Sequence, residues 1–203
     1  MAVNMAQKRA RKAQRRKQVV AKKQRVEALE QSLPARVARA AKSPIQHCYF
    51  SARLFEDGIG TVLLARGASA RHVVLGSFLL DVLCLGVKNV MFEQVDNDAF
   101  DYYMDVTNAA SPVVAVDPCY ARKLLRDVVA WSHSLGFAPH PDFSVVERLF
   151  GEVRAEDSDA AFQFGCEGKP LYMPGPTDTP ALIRWRTEQL QKYLGRDRLG
   201  AIA

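Results

Sequence analysis

The chain has 203 residues, 48% of them hydrophobic and 25% charged, which fits one globular domain with an appendage and excludes wholesale disorder and collagen-like order. Its formal net charge of +6 conceals a division: residues 1–44 carry thirteen Lys/Arg against Glu27 and Glu30, a net of +11, whereas residues 45–203 carry fifteen against twenty Asp/Glu, a net of −5. A basic arm on an acidic globule speaks of a partner before it speaks of a reaction.

The arm comes first. Seven of the eleven residues from Gln7 to Lys17 are cations, with no acid and no aromatic among them, and Lys22, Lys23 and Arg25 extend the run. Ala, Gln, Lys and Arg all favour helix, so residues 6–32 have helical propensity. Their only large aliphatics are Val19, Val20, Val26 and Leu29, too few to bury a face. Like charges repel within each turn, so a solvated helix is expected that firms up when its charge is neutralised. Phosphates would do that, each releasing counterions as it is neutralised, and arginine-rich segments that order on RNA work in this way. Lys8, Arg9, Arg11, Lys12, Arg15, Arg16, Lys17, Lys22, Lys23 and Arg25 are therefore the candidate nucleic-acid contacts, with RNA or a ribosome as the expected partner. A solubilising tail is the plainer alternative, and the same cations would suit a nuclear-import signal in a eukaryotic chain. A membrane partner is not expected, because the arm lacks the Trp, Phe and Leu of an interfacial helix.

Leu33-Pro34 should end the first helix, a short second piece should cover 35–42, and the arm should give way to a single globular domain at Ser43-Pro44. Strands are predicted over 45–54, 59–65 and 72–85, with turn residues at 67–70 and a further strand or irregular extension over 87–95. A helix is predicted over 96–108. Asp117-Pro118 then opens a helix in which Tyr120, Leu124, Val128, Trp131 and Leu135 recur at helical spacing up to Gly136. Asp142 should cap a shorter helix closed by Gly151, a hairpin is predicted with Cys166-Glu167-Gly168 at its tip, and Thr179-Pro180 should start a last helix through Leu194-Gly195. Strands followed by helices imply an α+β fold: a mostly antiparallel sheet of four to six strands, packed with three or four helices on one face.

No apolar run approaches the ~18 residues a membrane span needs, and no apolar segment follows the basic N-terminus as in a secretory signal. Cys48, Cys84, Cys119 and Cys166 are far apart, so neither a zinc site nor a disulfide framework is expected, and the default compartment is a reducing cytoplasm. The sequence contains no Walker loop, no G-x-S-x-G and no G-x-G-x-x-G, and no cofactor is expected. Asp81 is the most conspicuous acid, because it sits inside the apolar run 78–86 and a buried carboxylate must be paired, hydrogen-bonded or metal-bound. It would be a metal ligand if joined by Asp96, Asp98, Asp101 or Asp105, the arrangement of a divalent-metal nuclease; otherwise it is a strand-end Asp bonded to local backbone or to Lys88. His140, between two prolines and followed by Asp142, is held as a general base would be, or belongs to a rigid turn before a capped helix.

Three stretches, 81–88 (DVLCLGVK), 135–143 (LGFAPHPDF) and 164–172 (FGCEGKPLY), together with the basic arm, resemble a family of uncharacterised bacterial proteins, with the likeness covering most of residues 45–178. The resemblance implies a bacterial cytosolic setting and transfers no catalytic residue. The leading expectation is thus a nucleic-acid-associated protein without enzymatic activity. A metal-dependent nuclease using Asp81 is the first alternative, and an adaptor whose acidic globule binds another protein is the second.

Overall fold

The computed structural model describes residues 17, 20–24, 28–69 and 71–194. The described parts of the arm, at 17, 20–24 and 28–30, are helical and exposed up to a break at Gln31-Ser32. Helix α1 (Leu33–Ala40) follows, with Pro34 in its first turn, where a missing N–H is tolerated. Val37 and Ala40 of α1 are buried in the main core, and the Arg36 guanidinium lies 5.1 Å from the centre of the Phe92 ring. The last part of the expected arm therefore belongs to the globule, whose core begins near residue 33 and not at 45. Arg66 ties this junction down. It is buried, and its guanidinium donates to the carbonyls of Leu149 (2.6 Å), Phe150 (2.8 Å) and Ser43.

Five strands form one antiparallel sheet in the order β4-β3-β2-β1-β5: β1 (Ile45–Ser51), β2 (Ile59–Ser69), β3 (His72–Asp81), β4 (Gly86–Asp96) and β5 (Val113–Ala115). Strands β1 to β4 are a meander, and β5 returns to pair with β1. The α+β expectation holds, with helices on both faces instead of one. Period-two alternation sends Val62, Leu64, Val74, Phe78 and Leu80 to one face, against α1, α3 (Pro118–Ser134) and the segment 143–150. Leu63, Ala65, Val73 and Leu75 point the other way and are covered by Phe100, Tyr103 and Met104 of α2 (Asn97–Ala110). Asp96 caps α2, its Oδ1 accepting from Ala99 N–H at 2.8 Å, and Asp117 caps α3 by accepting from Cys119 N–H at 2.9 Å.

The differences from expectation have local causes. The first strand stops at Ser51, and 54–57 is a single helical turn ended by Gly58 in the left-handed region. The third strand ends at Asp81, because residues 82–85 form the β3–β4 turn. That turn is apolar and buried: Val82, Cys84 and Leu85 pack inside, so its composition mimics strand. The predicted hairpin near 166 reduces to a tight turn in which Cys166 and Lys169 exchange both backbone hydrogen bonds, with Glu167 and Gly168 at positive φ. Its flanks bond to the β3–β4 turn instead of to each other, Gly165 N–H to Val82 O and Leu171 N–H to Leu83 O. Helix α4 (Pro180–Leu194) closes this end of the sheet by packing Leu190 with Cys84, Leu85, Leu135, Phe137 and Tyr172.

A buried ion cluster braces α3 against the 143–150 segment. Glu147 accepts from Arg122 Nε (2.6 Å) and Nη2 (3.1 Å) and from Arg126 Nε (3.0 Å), while Arg122 Nη1 donates to the carbonyls of Gly151 and Val153. The cluster explains why this polar group sits among Leu149, Phe150 and Val146: both Glu147 oxygens accept guanidinium N–H groups, and all three Arg122 nitrogens donate.

Candidate functional site

Of the ten arm cations singled out in the sequence, Lys17, Lys22 and Lys23 lie among the described residues, all exposed and helical. Lys8, Arg9, Arg11, Lys12, Arg15, Arg16 and Arg25 lie outside them. The helix enters the globule through α1, beside Phe92 and Gln94 of β4.

Asp81 is placed as a turn residue. Its Oδ1 accepts from the backbone N–H groups of Leu83 (3.1 Å) and Cys84 (2.9 Å), closing the β3–β4 turn. Burial raises its pKa above the usual carboxylate range, against the opposing pull of these N–H groups and of Lys88. The register pairs Asp81 with Gly86 and His72 with Asp96, so Asp81 and Asp96 stand at opposite ends of the hairpin, about 30 Å apart along the strand. Asp98, Asp101 and Asp105 are exposed on α2. Among the described residues no group of three His, Cys, Asp or Glu side chains is placed to hold a metal ion.

His140 and Asp142 share a local turn. His140 N–H donates to Val87 O at 2.9 Å, and its Nδ1 accepts from Asp142 N–H at 3.2 Å. An accepting Nδ1 puts the neutral imidazole's proton on Nε2. The Asp142 side chain makes no cap hydrogen bond, contrary to expectation; its backbone carbonyl accepts from Val145 and Val146 instead.

His140 lines a cleft of about 670 Å³ at this end of the sheet, walled by the 137–141 loop, the 175–178 loop, α4 and the start of β4. Lys88, Asn89, Thr177, Trp185 and Arg186 are its other notable polar or aromatic lining residues. A half-buried ion pair shapes its wall. Asp178 Oδ2 accepts from Arg186 Nη1 (2.6 Å), Tyr172 Oη (2.9 Å) and Gly175 N–H (2.9 Å), and the Arg186 guanidinium stacks 5.5 Å from the Tyr172 ring centre. Burial would raise the Asp178 carboxyl, yet these donors and the Arg186 charge hold it below its usual range. The same contacts outweigh burial at Arg186 and raise it. Asp178 and Arg186 thus neutralise each other, and Lys88, whose ammonium also acts on the buried Asp81 carboxylate, is the other cation lining the cleft.

The stretches 81–88, 135–143 and 164–172 meet here: Lys88 from the first, Phe137 to His140 from the second, and Tyr172 from the third, backing the cleft through Asp178. Trp185, Asp178 and Arg186 were not legible as site residues. Only the P-G-P-T-D turn and the amphipathic start of the last helix mark them, and neither feature says what they face. Compared with protein-family models, curated proteins and solved structures, the chain matches none of them.

Proposed function

We propose that the protein is a nucleic-acid-associated protein that grips the phosphate backbone, RNA foremost, through its N-terminal arm. The observation that supports this best is the segregation of charge: ten cations between Lys8 and Arg25 with no acid among them, on a chain whose residues 45–203 are net negative. The arm's exposed helical stretch at 20–24 leaves Lys22 and Lys23 on the surface, and α1 fixes the arm's root to the sheet. Binding of this kind is sequence-tolerant and steeply salt-dependent. If about six cations meet phosphates, log K falls against log salt with a slope of about −4 to −5.

The test is a pair of truncations. Removing residues 1–32 takes away all ten cations but leaves α1, so RNA affinity should collapse while the melting temperature stays within about 2 °C. Removing residues 1–44 also strips Val37 and Ala40 from the core and the Ser43 carbonyl from Arg66, and should lower stability markedly. Undiminished RNA binding by the 33–203 chain would sink the proposal. No helix among the described residues is long and apolar enough to cross a membrane.

A further inference from the structure

The cleft beside Lys88 has the shape and chemistry of a small-ligand site. Its volume, about 670 Å³, falls within the ~300–1,000 Å³ of such pockets. Its walls are stiff, with Pro139, Pro141 and Pro176 restricting the two loops and the half-buried Asp178–Arg186 pair, bonded to the buried Tyr172, holding the third side. Two kinds of recognition group converge. One is cationic or donating: the Lys88 ammonium, His140 with its Nε2 proton, and Arg186, whose bond to Asp178 uses Nη1. The other is aromatic: Trp185 is 47% exposed and packs edge-on against Phe137 at 6.1 Å, which leaves indole surface in the cleft. The one carboxylate in the lining, Asp178, is already neutralised, so the cleft favours an anion.

We infer that the cleft binds one nucleotide, with its phosphate on Lys88 and His140 and its base stacked on Trp185. A phosphate oxygen takes point-charge and N–H donors of this kind, and every base offers a flat face to an indole. The nucleotide can be free or part of a strand. The cleft and the root of the arm lie along the same edge strand, Lys88–Asn89 and Phe92–Gln94, about 17 Å apart between Asn89 and Gln94, so one strand can reach both. The inference does not rest on the arm, because a mononucleotide needs no second contact.

The experiment is calorimetric titration of the full-length protein with 5′-mononucleotides, with inorganic phosphate, and with a single-stranded hexanucleotide. Trp185 emission provides a second readout, separated from that of the only other tryptophan, Trp131, which stacks on Phe164 and does not line the cleft, by comparison with Trp185→Leu. Saturable mononucleotide binding, tighter than that of phosphate and accompanied by quenching, is the expected result. Trp185→Leu should weaken it roughly 5- to 150-fold and Lys88→Met about tenfold or more, both with unchanged circular dichroism. A hexanucleotide that binds more tightly than a mononucleotide and loses affinity in Trp185→Leu identifies a strand as the source; equal affinities identify a free nucleotide. Absence of mononucleotide binding, or binding that neither substitution weakens, overturns the inference. Long-RNA affinity lost only on deletion of residues 1–32 reports on the arm separately.

Discussion

Glu147 and Asp81 are two carboxylates buried to the same degree, 9% and 8% exposed, yet their protons are held in opposite ways. Burial pushes both upward. At Glu147 the two guanidinium groups of Arg122 and Arg126 overcome it and hold the carboxyl below its usual range. At Asp81 the opposing groups are peptide N–H dipoles and the more distant Lys88, and burial prevails. Depth alone does not decide the charge of a buried acid; the partner does. Glu147 is a strut that needs its charge, whereas Asp81 is a turn lock that needs only its acceptor oxygen.

That contrast can be broken most forcefully at Arg122. Arg122→Met leaves a buried carboxylate with one half-exposed partner and orphans the carbonyls of Gly151 and Val153, and should cost about 3–5 kcal/mol in chemical denaturation at pH 7. Arg126→Met, which removes the more exposed guanidinium, should cost less than about 1 kcal/mol. If the two substitutions cost the same, the bidentate bond is not what carries the strut.

The smallest effect has the opposite sign. Asp81→Asn keeps the oxygen that accepts from Leu83 and Cys84 and removes a charge that burial disfavours, so at pH 7 it should raise stability by up to about 1 kcal/mol. The pH dependence sharpens the comparison. Glu147, with its folded pKa lowered, stabilises the fold above its unfolded value near ~4.3, and that contribution is lost as pH falls through the folded value. Asp81, with its folded pKa raised, favours the fold below its unfolded value near ~3.9 and loses that contribution as pH rises through the folded value. The gain from Asp81→Asn should therefore shrink on acidification from pH 7 to 4. The penalty of Arg122→Met should shrink on further acidification through the folded pKa of Glu147. A gain from Asp81→Asn that is constant with pH would show that its charge is immaterial.

Local chemistry in the sequence was enough to place the helices that carry their own start signals. Asp96 and Asp117-Pro118 open α2 and α3 where expected, because a cap needs only residues three apart in sequence. Strands β2 and β3, with their β-branched and aromatic content, and the segregation of charge were equally legible, since each is a property of neighbouring residues. What the tertiary structure decided are features whose partners lie far away in the chain. The run 82–85 is a turn and not strand because the 165–171 segment bonds to its carbonyls; β5 exists because Val113–Ala115 meets the free edge of β1; and α1 joins the core because Arg66 and Phe92 receive it. The cleft is of the same kind. Lys88, His140, Asp178 and Trp185 are up to 97 positions apart, and only the closure of α4 over the end of the sheet brings them to one surface, because burying Leu190 beside Cys84 and Leu135 is what fixes where that helix lies.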